Sequence, residues 1–155
     1  MTYVTSQVYI EGLYEAVAGL RDLGAEKEIQ ALNLRVGNMV VKEAKQLVPV
    51  RTGRLRDSIR ASKAIRTAVV QAGRDPLIPY ANPINWGWFY DKEYFIAKNI
   101  MPTQFMNKAA KKVRAQIATT YMTELVRLYE KYAGKPYTGN KDIQQVVNAT
   151  RGFAD

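Results

Sequence analysis

Apolar residues at Ile29, Leu32, Val36, Met39, Val40, Ala44 and Leu47 recur every three or four positions, and this spacing predicts a long amphipathic helix from about Ala25 to Val48. Glu26 and Glu28 lie in its first turn and Lys42 and Lys45 toward its end, the polarity that a helix dipole favours. Pro49 ends it, because proline has no N–H and drives the preceding residue out of the helical region. Gly37 inside this helix costs about 1 kcal/mol relative to alanine, and a close helix contact is one explanation. A second long helix is expected from after Pro102 to about Tyr132, with Phe105, Ala109, Val113, Ile117, Tyr121, Leu125, Leu128 and Tyr132 on one stripe and Thr103 as its cap.

Between the helices the periodicity changes. Leu55, Ile59, Ala61, Ile65, Val69 and Val70 are separated by polar or basic residues, so residues 54–73 are read as strands folded into a β-hairpin that turns near Ser62 to Arg66. Tyr80 to Trp88 reads as a further strand that Pro83 confines to an edge or a bulge, and residues 89–102 read as an irregular aromatic loop. Before the first long helix, Val4, Val8 and Ile10 suggest a short strand or arm. Leu13, Val17, Leu20 and Leu23 suggest a short helix. The expected fold class is α+β: a small antiparallel sheet, hairpin plus edge strand, packed against two long helices. The expected organisation is an N-terminal arm or short helix at 1–24, an α+β core domain at 25–133 and a C-terminal tail at 134–155, with the arm a candidate inter-subunit element.

Composition narrows the chemistry. The 155 residues include no Cys, which removes disulfides, zinc–thiolate sites and thiol nucleophiles, and no His, which removes the commonest general base and transition-metal ligand. Asp91 and Glu93 are the nearest approach to paired carboxylates, but pairing with Lys92 or Lys98 suits them better than catalysis. No P-loop, dinucleotide fingerprint, EF-hand loop or nucleophile elbow occurs. We therefore expect no enzyme, no cofactor and no metal site. No apolar run approaches a membrane span and the N-terminus lacks the features of a signal peptide, so the reading expects a protein assembled in its host's cytoplasm without membrane contact.

The formal net charge of +9 directs attention to acidic partners. Arg51, Arg54, Arg56, Arg60, Lys63, Arg66 and Arg74 crowd one region and are the candidate partner or DNA-channel contacts, since guanidinium forks suit phosphates and carboxylates alike. A solvated strand edge protected by charge explains the same residues. Lys108, Lys111, Lys112 and Arg114 form a second basic group, for which an ordinary solvated helix face is the simpler account. Trp86 and Trp88 flank Gly87; on a strand they share one face, where they suit a subunit interface or the core.

The segment from Leu47 through Pro49, Thr52, Gly53, Leu55 and Ser58, followed by Tyr80, Ala81 and Gly87, resembles the small tail-component family of tailed bacteriophages. That family carries an "aP-x-x-TG-x-L-x-x-S" turn and a later "YA-x-x-x-x-x-G" segment. Met101-Pro102-Thr103-Gln104-Phe105-Met106 is similar to the family's "P-x-x-F-h" element, so the resemblance spans about residues 25–110. It implies that Pro49, Thr52, Gly53, Leu55, Ser58, Tyr80, Ala81, Gly87 and Phe105 define the fold. By the same resemblance the chain would be a virion structural protein of the neck, joining or completing the tail as a ring subunit, hexameric by preference, around the DNA channel. Its partners would be other copies, other neck and tail proteins and, non-specifically, the genome. A stand-alone basic nucleic-acid-binding module is the rival reading.

Overall fold

The computed structural model describes residues 4–6, 13–64, 67–88, 100–134 and 136. In chain order it contains β1 (Val4–Ser6), α1 (Leu13–Asp22), α2 (Glu26–Leu47), α3 (Arg54–Ser58), β2 (Arg60–Ser62), β3 (Val69–Ala72), α4 (Ala81–Trp86) and α5 (Phe105–Ala133). The three strands form one antiparallel sheet in the order β1-β3-β2, with Val4 opposite Ala72 and Ala61 opposite Val70. The helix pair α2 and α5 packs against this sheet, which makes the fold α+β.

Both long helices form where their apolar stripes predict. Ile29, Leu32, Val36, Val40 and Ala44 of α2 are buried against Phe105, Ala109, Val113, Ile117, Tyr121 and Leu125 of α5. The pairing is antiparallel. Lys112 Nζ meets Glu43 at 2.6 Å, Arg35 meets Glu124 at 3.0 Å, and the Tyr132 hydroxyl donates to Glu28 at 2.6 Å. This last bond holds the Glu28 carboxyl below its usual range and raises the Tyr132 hydroxyl. Leu23 and Leu47, placed on the stripes by spacing, sit at helix ends and remain partly exposed, outside the core.

Asn33 is the one polar residue in the middle of this seam, and it is fully buried. Its Nδ2 donates to the carbonyl of Ala64 at 2.8 Å, and its Oδ1 accepts from the Tyr121 hydroxyl at 2.6 Å. The two bonds tie α2 to the end of the β2 strand and to α5, and they meet the cost of burying an amide. Gly37 lies one turn further along α2. A Cβ there would stand 2.8 Å from the Ala61 Cβ, so the close approach is to β2 rather than to a helix.

Three expectations are corrected. Residues 54–58 are one helical turn, not strand. A strand that buries Leu55 and Ile59 would turn Asp57 inward as well, whereas the helical turn buries both apolar residues and leaves Asp57 exposed. The hairpin is therefore only β2 and β3. Tyr80 to Trp88 is not an edge strand either: Ala81–Trp86 is helical, with Pro83 in the first turn where its missing N–H has no intrahelical role. Finally, Thr103 does not cap α5; its hydroxyl donates to the carbonyl of Ile84. Of the aromatic loop expected at residues 89–102, residues 89–99, with Asp91 and Glu93, lie outside the described residues, as does most of the C-terminal tail.

Burial pushes the Tyr121 hydroxyl up to about 12. The folded chain then keeps this proton to higher pH than an unfolded chain, whose tyrosines ionise near ~10. The associated stability is complete below the unfolded value and is lost as pH rises toward the folded one. Tyr121→Phe is expected to cost about 1–3 kcal/mol at neutral pH, from the broken bond to buried Asn33. It should also flatten the fall in stability across that alkaline window, as read from urea unfolding at a series of pH values.

Candidate interaction surface

Residues 42–75 carry nine Lys and Arg against three Asp and Glu, a balance of +6 that supplies most of the chain's +9. The fold distributes these cations unevenly. Arg51 and Thr52 are exposed in the bend after α2, Arg54 and Arg56 sit on α3, Arg60 begins β2, Lys63 follows it, and Arg74 follows β3. Arg56 is turned to its neighbour Asp57, 3.3 Å away. Arg66 lies outside the described residues. Because α3 is a helical turn, Arg54 and Arg56 stand on it and not on a strand beside Arg60.

Arg54, Arg60 and Arg74 nevertheless converge from three elements on one open depression of about 710 Å³, which Asp57, Ser58, Asp75, Leu77 and Ile78 also line. Ser58 fixes this convergence. Its hydroxyl donates to the carbonyl of Leu55 at 2.7 Å and accepts from the N–H of Gly73 at 3.0 Å, so it joins the end of α3 to the exit of β3. Gly73 has φ of +70° and its Cα faces the Ala81 methyl so closely that any Cβ would overlap it. Arg74 therefore leaves the sheet in a direction set by backbone sterics. Asp75 accepts from the N–H of Leu77 at 2.9 Å and closes the following turn.

A second open groove, of about 760 Å³, adjoins the first and shares Arg74 and Asp75 with it; Pro76, Pro79, Pro83, Trp86 and Trp88 supply its apolar walls. Trp86 ends α4, and Trp88 pairs with Ile100 through backbone bonds of 2.8 and 2.7 Å. The two rings therefore do not share a strand face as expected. Both are exposed, at 50% and 42%, so neither is core. Gly87 between them has φ of +87° and lies against Ile100 and Pro102, where a side chain would meet backbone.

The ends of α4 and α5 satisfy one another. The carbonyls of Ile84 and Asn85, left without helical partners at the end of α4, accept from the N–H groups of Thr103 and Gln104. In return Asn85 Oδ1 accepts from the N–H of Met106 in the first turn of α5. Asn85 thus performs a capping role across a gap of about twenty residues, which no local capping rule could find. Of the remaining motif residues, Leu55, Ala81 and Phe105 are buried, Tyr80 packs against the core, Gly53 precedes α3, and Pro49 is exposed. In the second basic group Lys112 is engaged by Glu43, while Lys108, Lys111 and Arg114 are exposed.

Residues 14–81 match a family model, HK97-gp10-like, described as "Bacteriophage HK97-gp10, putative tail-component". Over this segment the chain is similar to a phage tail-component family. The matched segment includes α2, α3, the hairpin and every residue of the Arg51 to Arg74 group, and it ends at the Tyr80-Ala81 pair; Gly87 and Phe105 fall beyond it. No curated protein and no solved structure matches the chain. No helix among the described residues is long and apolar enough to cross a membrane.

Two substitutions test how this surface is held. Ser58→Ala leaves the Gly73 N–H without its acceptor and is expected to cost about 1–3 kcal/mol. Asn85→Ala removes a buried cap and is expected to cost about 0.5–2 kcal/mol. Trp86 and Trp88 are the chain's two tryptophans. Their emission during denaturant unfolding reads this region directly, and in both variants it should change at lower denaturant.

Proposed function

We propose that this tail component acts at the head-proximal end of the tail, joining or completing it as one subunit of a ring around the DNA channel, with six copies favoured. The observation that carries the reading is that the family match and the arginine group coincide: the segment that resembles phage tail components is also the one that holds most of the positive charge. A structural role in a virion needs adhesive surface rather than reacting groups. Arg54, Arg60 and Arg74 around one depression, with exposed Leu77, Trp86 and Trp88 beside it, supply such surface. Arg51, Arg56 and Lys63 extend the positive field around it and would meet an adjoining ring or the passing genome.

The rival, a stand-alone nucleic-acid-binding module, draws on the same net charge and predicts different salt behaviour. A protein that makes several phosphate contacts loses roughly a thousandfold or more in affinity between low and moderate salt. A neck subunit in isolation should bind duplex DNA weakly, without sequence preference. Electron microscopy of the purified protein, alone and with the neck and tail proteins of its phage, decides the main reading. Closed rings that join tails to heads are expected; a protein that stays monomeric and enters no particle overturns it.

A further inference from the structure

Resting on the tail-component reading, we infer that the arginine depression and the tryptophan groove are one docking site, and that its occupant is a segment of a different virion protein, presenting an apolar side chain beside a carboxylate. The two concavities adjoin, with Arg74 and Asp75 lining both. The apolar side chain lies against Trp86 and Trp88, and the carboxylate reaches Arg54, Arg60 or Arg74.

Three observations select this occupant. First, none of those three arginines is paired with a carboxylate among the described residues, so their forks are available for a bidentate acid. Second, Asp57 and Asp75 stand in the same depression. A nucleic-acid backbone would bring a row of phosphates past these two carboxylates, whereas one protein carboxylate can settle on a guanidinium and avoid them. Third, a second copy of this chain is poorly matched. It carries the same +9, and four of its described carboxylates, Glu26, Glu28, Glu43 and Glu124, are already engaged by Arg21, Lys131, Lys112 and Arg35. The site is also preorganised: Ser58, Gly73 and Asn85 fix its walls, which lowers the entropy lost on docking.

The test uses intact particles. Tryptophan oxidation is compared between the purified chain and assembled virions, and virions carrying Arg74→Lys are treated with a carbodiimide, which joins an amine to a carboxylate in contact. The expected results are loss of reactivity at both Trp86 and Trp88 on assembly, and a cross-link from position 74 to an Asp or Glu of another virion protein with an apolar residue close by in sequence. If Arg74→Lys does not assemble, modification of the native arginines by a dione, before and after genome release, replaces the cross-link; protection that survives release is then expected. Tryptophans as reactive in the virion as in the free chain, a cross-link to a second copy, or arginine protection that vanishes with the genome would each overturn the inference. A chain absent from the virion altogether would instead overturn the tail-component reading beneath it.

Discussion

One buried amide holds the layers of this protein in register. Asn33 reaches Tyr121 on α5 with its oxygen and the carbonyl of Ala64 with its nitrogen, so the helix seam and the end of β2 are fixed by a single side chain. Sliding α2 by a turn along α5 would carry Asn33 away from the Tyr121 hydroxyl. The amide resists that slip, because it leaves buried polar atoms unsatisfied. With the seam fixed, Gly37 lies against Ala61 and the hairpin rests on α2 at the closest distance a backbone allows.

From that frame the interaction surface follows by short covalent reach. β2 begins and β3 ends near Ser58, which ties α3 to Gly73, and Gly73 in turn is pressed on Ala81 at the start of α4. The arginines thus stand on rigid ends of elements rather than on a free loop. The exchange of carbonyls and N–H groups between α4 and α5 does the same for Trp86. A surface built this way would give up little freedom on docking.

The parts of the fold legible in the sequence were those governed by long repetition. The stripes of α2 and α5 run over many turns, and their ends are marked by Pro49 and Pro102. Short elements were not legible by the same means. Leu55 and Ile59 fit a strand and a helical turn equally well by spacing, and only the inward placement of Asp57 in a strand decides between them. Pro83 suits an edge strand and the first turn of a helix alike, so by itself it does not choose between them. The turn residues Gly53 and Ser58 stood out as a motif, but the partner of Ser58 is fifteen residues away at Gly73, and nothing local announces it. The convergence of Arg54, Arg60 and Arg74 was likewise hidden, since it depends on how three elements meet.

The strand order β1-β3-β2 places the N-terminal strand on the far edge of β3, pairing Val4 with Ala72. A closure so distant in sequence costs more loop entropy than the β2–β3 hairpin, which favours its forming after the hairpin. Until it does, one side of β3 presents bare amides and carbonyls that any extended chain could occupy. Val4–Ser6 therefore act as a cover over this flank of β3, which without them would lie open to pairing with another chain.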